Sequence, residues 1–207
     1  MKRRIALGLA LGIILVGPNA EAQMTQATLA ELVAEAGTII AGRVVEVREG
    51  RHPQYHNIVV TFVTLEVAEM FKATGPTRLN PPGPSRLTFM QFGNPRTLPV
   101  HDLPHYRPGE EVVLFLYPES QYGFTSPVAG GQGKFIIERD RQTGARQVVN
   151  GINNWNLLRG LDSEHLSLSR TERAAAAQMR GAISYEVFAS LVRKLVGSMT
   201  GKESSIR

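Results

Sequence analysis

Four of the five histidines stand in two pairs spaced four apart, His52 with His56 and His101 with His105. On a helix that spacing puts two imidazoles on one face, an arrangement suited to zinc. Pro99 and Pro104 exclude a helix around the second pair, and Asp102 stands where a zinc-protease motif needs glutamate. The four imidazoles therefore form a candidate metal set on loops, for a metal-dependent hydrolase. Solvated loop side chains are the simpler reading. A second cluster, Gly130-Gly131-Gln132-Gly133-Lys134, resembles a phosphate-cradling loop but fails in detail. Val128 occupies the place of the first glycine, and Phe135 that of the magnesium-holding hydroxyl. A tight turn between strands, with glycines permitting positive φ, fits better.

The carboxylates that could serve as acid or base are Glu46, Glu66, Glu69, Asp102, Glu110, Glu111 and Glu138, and most fall on the solvent side of expected strands or turns. No Gly-x-Ser-x-Gly nucleophile elbow occurs. Cysteine is absent, which excludes disulfides, thiolate catalysis and Cys-type zinc sites. No catalytic residue and no cofactor is assigned. Trp155 lies among Asn153, Asn154 and Asn156. An indole so placed is either an exposed contact residue or a lid with its N–H bonded. Trp155, Asn154 and Tyr106 are the candidate partner-binding residues. Most other aromatics, among them Phe89, Phe92, Phe115, Tyr117, Tyr122, Phe124 and Phe135, are expected in the core.

The elements that must position these residues follow from periodicity. Thr28-Leu29-Ala30-Glu31 is a capping box, and Leu29, Leu32, Val33 and Ala36 share one helical face ending at Gly37. Strands are expected at 38–48, 58–67, 86–92, 112–117, 124–129, 134–138 and 146–149, with a bulge or bend near Gly42. Val112 to Tyr117 is apolar on both faces, as a central strand is. The loops 74–85, 93–109 and 150–156 are rich in Pro, Gly or Asn. Residues 157–169 show no firm period, and a helix spans 184–196 with Gly197 as its stop. Short strands flanked by terminal helices predict a mainly β fold, an antiparallel sheet or small barrel.

The chain begins with Met1-Lys2-Arg3-Arg4 and an uncharged apolar run from Ile5 to Val16, closed by Gly17-Pro18 and followed by Ala20-Glu21-Ala22. This is the layout of a signal peptide, 1–22, cleaved before Gln23. The run is too short for a spanning helix, which needs about 20 apolar residues. Cleavage lowers the formal net charge from +5 to +3, with basic residues scattered among acids rather than gathered in a stripe. The expected partners thus exclude nucleic acid and stable membrane insertion after cleavage. The expected location is secreted or periplasmic. Removing residues 1–22 from the 207 leaves 185, divided here into a β-barrel domain at 23–150 and a C-terminal extension at 151–207.

The set Ile40-Ala41-Gly42-Arg43-Val44-Val45, Val63-Thr64-Leu65-Glu66-Val67 with Phe71-Lys72, Tyr106-Arg107-Pro108-Gly109-Glu110-Glu111-Val112-Val113-Leu114-Phe115-Leu116 and Gln132-Gly133-Lys134-Phe135 resembles a family of uncharacterised secreted bacterial proteins. Their layout is similar to the netrin and metalloproteinase-inhibitor type of OB-like barrel. The resemblance spans roughly residues 29–138 and rests on strand and turn signatures. It implies a small antiparallel OB-like barrel and a partner-binding or protease-inhibiting role. Such inhibitors act through an N-terminal cysteine, whereas this chain would begin at Gln23, so no inhibitory residue carries over.

The reading these features favour is an exported, non-enzymatic binding module that presents loops to a protein partner such as a secreted protease. Its rivals are the histidine-based hydrolase and an envelope-associated structural protein held by its C-terminal helix. Intact mass of the exported protein is expected to match a chain starting at Gln23; recovery of exported protein with Met1–Ala22 attached would contradict the cleavage site.

Overall fold

The structure, a computed structural model, describes residues 26–74, 85–94, 98 and 103–204. The expected signal peptide, most of the loop 74–85 and part of the loop 93–109, including His101, lie outside the described residues.

Helix α1, Leu29–Glu35, starts as its sequence predicts. Thr28 Oγ1 accepts from the Glu31 amide at 3.3 Å, and Glu31 Oε2 accepts from the Thr28 amide at 2.7 Å. Strand β1, Thr38–Arg51, runs out with β2, Val59–Ala73, in a long antiparallel hairpin. Both strands are longer than their hydrophobic patterns suggest: β1 runs on into polar residues at the hairpin end, and β2 runs on past Val67 to Ala73, pairing there with the first residues of β1. The register shifts at Ile39/Ile40, Ala41/Gly42 and Val44/Glu46. At Gly42 a Cβ would collide with the Glu66 carbonyl oxygen, so this closest approach of the two backbones requires glycine.

Strand β3, Arg86–Phe92, pairs with β2, and β4, Glu111–Leu116, pairs with the other edge of β1. Strands β5, Lys134–Arg139, β6, Arg146–Asn150, and β7, Ile183–Ser184, extend the sheet beyond β4. The order is β3-β2-β1-β4-β5-β6-β7, antiparallel throughout. The mainly β fold with a short N-terminal and a longer C-terminal helix is as expected, but the sheet is not closed into a barrel. Residues 124–129, expected as a strand, form two isolated bridges instead, at Phe124 and Pro127. Met90 meets Phe124 in parallel and Leu116 meets Pro127 in antiparallel sense, so this segment spans part of the open side between β3 and β4.

The pleat of the strands divides the apolar residues between two cores. On one face Ile40, Val44, Val63, Leu65, Leu87 and Phe89 pack with Val112 and Leu114. On the other, Ile39, Ala41, Val113 and Phe115 pack beneath α1 and the C-terminal helix α3, Tyr185–Ser204. Strand β4 contributes to both, as its two-sided apolar run implies. Phe188 of α3 lies 4.7 Å from the Phe135 ring and 6.2 Å from Phe115, centroid to centroid. Phe188, Leu191, Val192 and Leu195 are all buried, each stabilising the fold by about 1.5–3 kcal/mol. The stripe of α3 is therefore spent on the sheet, and residues after 150 share one core with those before it. Among the described residues no helix is long and apolar enough to cross a membrane.

Two features of the C-terminal part differ from expectation. Helix α3 passes through Gly197 rather than stopping there, since Gly197 does not take the left-handed conformation a glycine stop requires. Helix α2, Arg170–Ala176, directly follows the stretch 157–169 that shows no firm period, at a place to which the sequence reading assigns no element. Its start is polar: the Ser169 hydroxyl accepts from the Glu172 amide at 3.3 Å, and the Glu172 carboxylate accepts from the Ser169 amide at 2.6 Å. Buried Glu172 also receives Ser190 Oγ at 2.7 Å and Lys194 Nζ at 2.6 Å, tying α2 to α3.

Burial alone would raise the Glu172 pKa, but the hydrogen bonds from Lys194, Ser169 and Ser190 outweigh it and hold the carboxyl at about 2. A depressed folded-state value gives stability that is present above pH 4.5 and lost as pH falls toward 2. The melting temperature of the protein is expected to drop through that window more steeply than that of Glu172→Gln; parallel curves would contradict a linking role for this carboxylate.

Candidate functional site

The hairpin end of β1 and β2 is built around His52. Its amide donates to the Ile58 carbonyl at 2.9 Å, closing the turn, and its ring is almost fully buried at 3 % exposure. The backbone amides of Gln54 and Tyr55 both donate to Nδ1 at 3.1 Å. Nδ1 is therefore the acceptor nitrogen, and Nε2–H donates to the Tyr122 carbonyl at 2.7 Å. One imidazole thus pins the hairpin turn to the loop 117–125, across 70 residues of sequence.

That pin sets out an aromatic surface. Centroids lie 4.9 Å apart for His52 and Tyr55, 5.2 Å for His52 and Phe124, 5.7 Å for Tyr55 and Tyr122, and 5.9 Å for Phe92 and Phe124. Tyr55, Phe92 and Tyr122 remain 41 %, 44 % and 48 % exposed, so large rings are held in place and still face solvent. The loop that carries Tyr122 is tied by Ser120, whose amide donates to the Phe124 carbonyl at 2.8 Å and whose hydroxyl accepts from the Phe124 amide at 3.1 Å. Beside the rings runs an open groove of about 900 Å³, between β3 and the loop 117–125. Thr88, Phe89, Leu116, Glu119, Gln121 and Thr125 are among its lining residues. Its volume lies in the range of ligand-binding clefts, about 300–1,000 Å³.

The histidine set does not assemble among the described residues, where no three His, Asp or Glu side chains converge. His52 has both ring nitrogens engaged by backbone groups. His56 is exposed and accepts Arg51 Nη1 at its carbonyl, 3.0 Å away, while the His105 carbonyl accepts Lys134 Nζ. The glycine cluster is a 3-10 turn, Gly130–Gly133, in which a Cβ on Gly133 would collide with the Val128 carbonyl oxygen. Lys134 turns inward to Glu110 Oε2 at 2.8 Å and lies over the Tyr106 ring, 4.6 Å from its centroid. It ties the start of β5 to the segment 105–110 before β4.

Of the three candidate contact residues, Trp155 is exposed and the other two are interior. Tyr106 is 7 % exposed and packs edge-on against Phe89 at 5.6 Å. Burial, and after it the Glu110 charge, raises its phenol well above the ordinary range, and its buried hydroxyl has no hydrogen-bond partner among the described residues. Asn154 is 2 % exposed because its amide is used internally. Its Oδ1 accepts from the Asn150 amide and its Nδ2 donates to the Val148 and Gly181 carbonyls, all at 2.9 Å. Asn150 Oδ1 in turn accepts from the Asn154 amide at 2.8 Å. This lock holds Asn153, Asn154 and Asn156 in the left-handed region, at φ 56°, 54° and 52°. Trp155 stands out from the locked turn at 41 % exposure, with the Arg180 guanidinium 5.9 Å from its ring centroid.

Sequence reading treats Phe92, Tyr122 and Phe124 as core and does not single out Tyr55. No local pattern marks them, since they meet only where the hairpin turn reaches the loop after β4. No family model and no curated protein matches the chain.

Replacing His52 by alanine removes one donor and one double acceptor in a buried place. His52→Ala is expected to lose about 2–3 kcal/mol in denaturant unfolding, since each orphaned buried group costs about 1–3 kcal/mol; a loss below about 0.5 kcal/mol would refute the pin.

Proposed function

We propose that the protein is an exported, non-enzymatic binding module that receives a protein partner on the surface around His52. The observation that carries this is the set of exposed rings Tyr55, Phe92 and Tyr122, held on the pinned turn and loop and at the end of β3, beside the groove. Rigid aromatics bury large area on association at small cost in side-chain entropy, which is why tyrosine and tryptophan dominate binding hot spots. The locked turn that displays Trp155 beside Arg180 supplies a second contact point of the same kind. Buried titratable groups elsewhere have structural work: Lys134 bridges Glu110 and the His105 carbonyl, and Glu172 joins α2 to α3.

Export rests on the signal-like first 22 residues, and a secreted protease is the partner class suggested by the resemblance to the netrin and metalloproteinase-inhibitor type. The segment 124–127, bridging β3 and β4 across the open side, is consistent with a partly open barrel of the OB-like kind. Such an inhibitor-like module would use the aromatic surface rather than an N-terminal cysteine.

Affinity capture from periplasm and medium, followed by calorimetry with each captured protein, tests this reading. Tyr55→Ala/Tyr122→Ala is expected to weaken binding at least about 100-fold while leaving the fold intact, as loss of two hot-spot rings does. Equal binding by the double variant would remove the aromatic surface as the site.

A further inference from the structure

The open side of the sheet exposes the edge of β3, and the ladder with β2 decides which of its backbone groups face outward. The Val67 amide donates to the Ser85 carbonyl at 2.7 Å and the Gly93 amide to the Val59 carbonyl at 3.0 Å. In an antiparallel pair the facing residues alternate, so Ser85, Leu87, Phe89, Gln91 and Gly93 turn their N–H and C=O toward β2. Arg86, Thr88 and Met90 turn theirs away. At Met90 this outer row is already in use, its carbonyl accepting from the Thr125 amide at 3.0 Å. At Arg86 and Thr88 the outer N–H and C=O have no backbone partner among the described residues.

The Thr88 groups face the groove, since Thr88 is one of its lining residues together with Leu87, Phe89 and Met90, and the Arg86 groups continue the same edge one repeat before it. Side chains alternate along the same edge: Leu87 and Phe89 are 6 % exposed and point to the core, while Arg86 and Thr88 are exposed. Leu116 faces the groove from the opposite wall. A row of backbone donors and acceptors without partners among the described residues, above an apolar floor, is a template for one more strand.

We infer that the groove binds an extended polypeptide segment by strand addition to β3. The segment pairs its backbone with Arg86 and Thr88, sets apolar side chains at every second position against Leu87, Phe89 and Leu116, and turns polar ones outward. This rests on the binding-module reading and specifies how the partner is held: by a strand of its own, with Tyr55 and Tyr122 as flanking contacts. The bridge at Met90 and Phe124 shows the same edge accepting a neighbour one step further along.

The test uses the purified full chain and a phage-displayed library of random octapeptides. Enriched peptides are expected to carry apolar residues at alternate positions and to slow hydrogen exchange of the Arg86 and Thr88 amides by at least about ten-fold. Thr88→Pro, which deletes an outward N–H and spares the ladder to β2, is expected to weaken those peptides by at least about ten-fold while keeping the native melting temperature. Arg86→Pro provides the same test should Thr88→Pro fail to fold. Amides already slow in the free protein would overturn strand addition, as would enriched peptides that leave them fast and bind both variants equally. In either case a captured partner that still depends on Tyr55 and Tyr122 keeps the binding-module reading standing. Failure of both peptides and partners to bind overturns the two together.

Discussion

The approach of β1 to β2 at Gly42 shapes everything around it. Three register shifts within the first nine residues of β1 bend a hairpin of 14 and 15 residues, and the tightest point admits no Cβ. The pleat of β1 turns Ile39 and Ala41 to the helices and Ile40 and Val44 to the opposite core. Strand β4, inserted beside it, must then be apolar on both sides, and it is.

The far end of the hairpin meets the loop after β4, where His52 Nε2 donates to the Tyr122 carbonyl. There the backbone leaves the ladder and needs other partners. His52 meets that need with two acceptor contacts and one donor, so a buried polar ring fixes the geometry of exposed apolar ones. A comparable division of labour occurs at 150–156, where Asn150 and Asn154 spend their amides on backbone groups and leave Trp155 facing solvent. In both places the residue with the most conspicuous hydrogen-bonding chemistry is the support, and its aromatic neighbour is the surface.

Local signals were legible where both the cause and the effect lie within a few residues. The capping box at Thr28, the two-sided apolar run of β4 and the need for glycine at position 42 belong to this class. The capping pair Ser169 and Glu172 was equally local, yet it was obscured by the weak hydrophobic period around it. Gly197 misled because a glycine ends a helix only if the chain turns left-handed there, and packing of α3 along the sheet carries the helix through.

By itself, the sequence determined a cysteine-free, mainly β chain with helices at both ends, because periodicity and caps act over single turns and strands. Whether the sheet closes, which histidine nitrogens are occupied and whether Tyr106, Asn154 or Trp155 faces water were decided by tertiary structure alone. Each of those depends on groups brought together from distant parts of the chain, as Tyr122 is to His52 and Gly181 to Asn154. Burial and hydrogen-bond satisfaction are properties of such meetings, and no residue carries them in its own type or in its spacing from its neighbours.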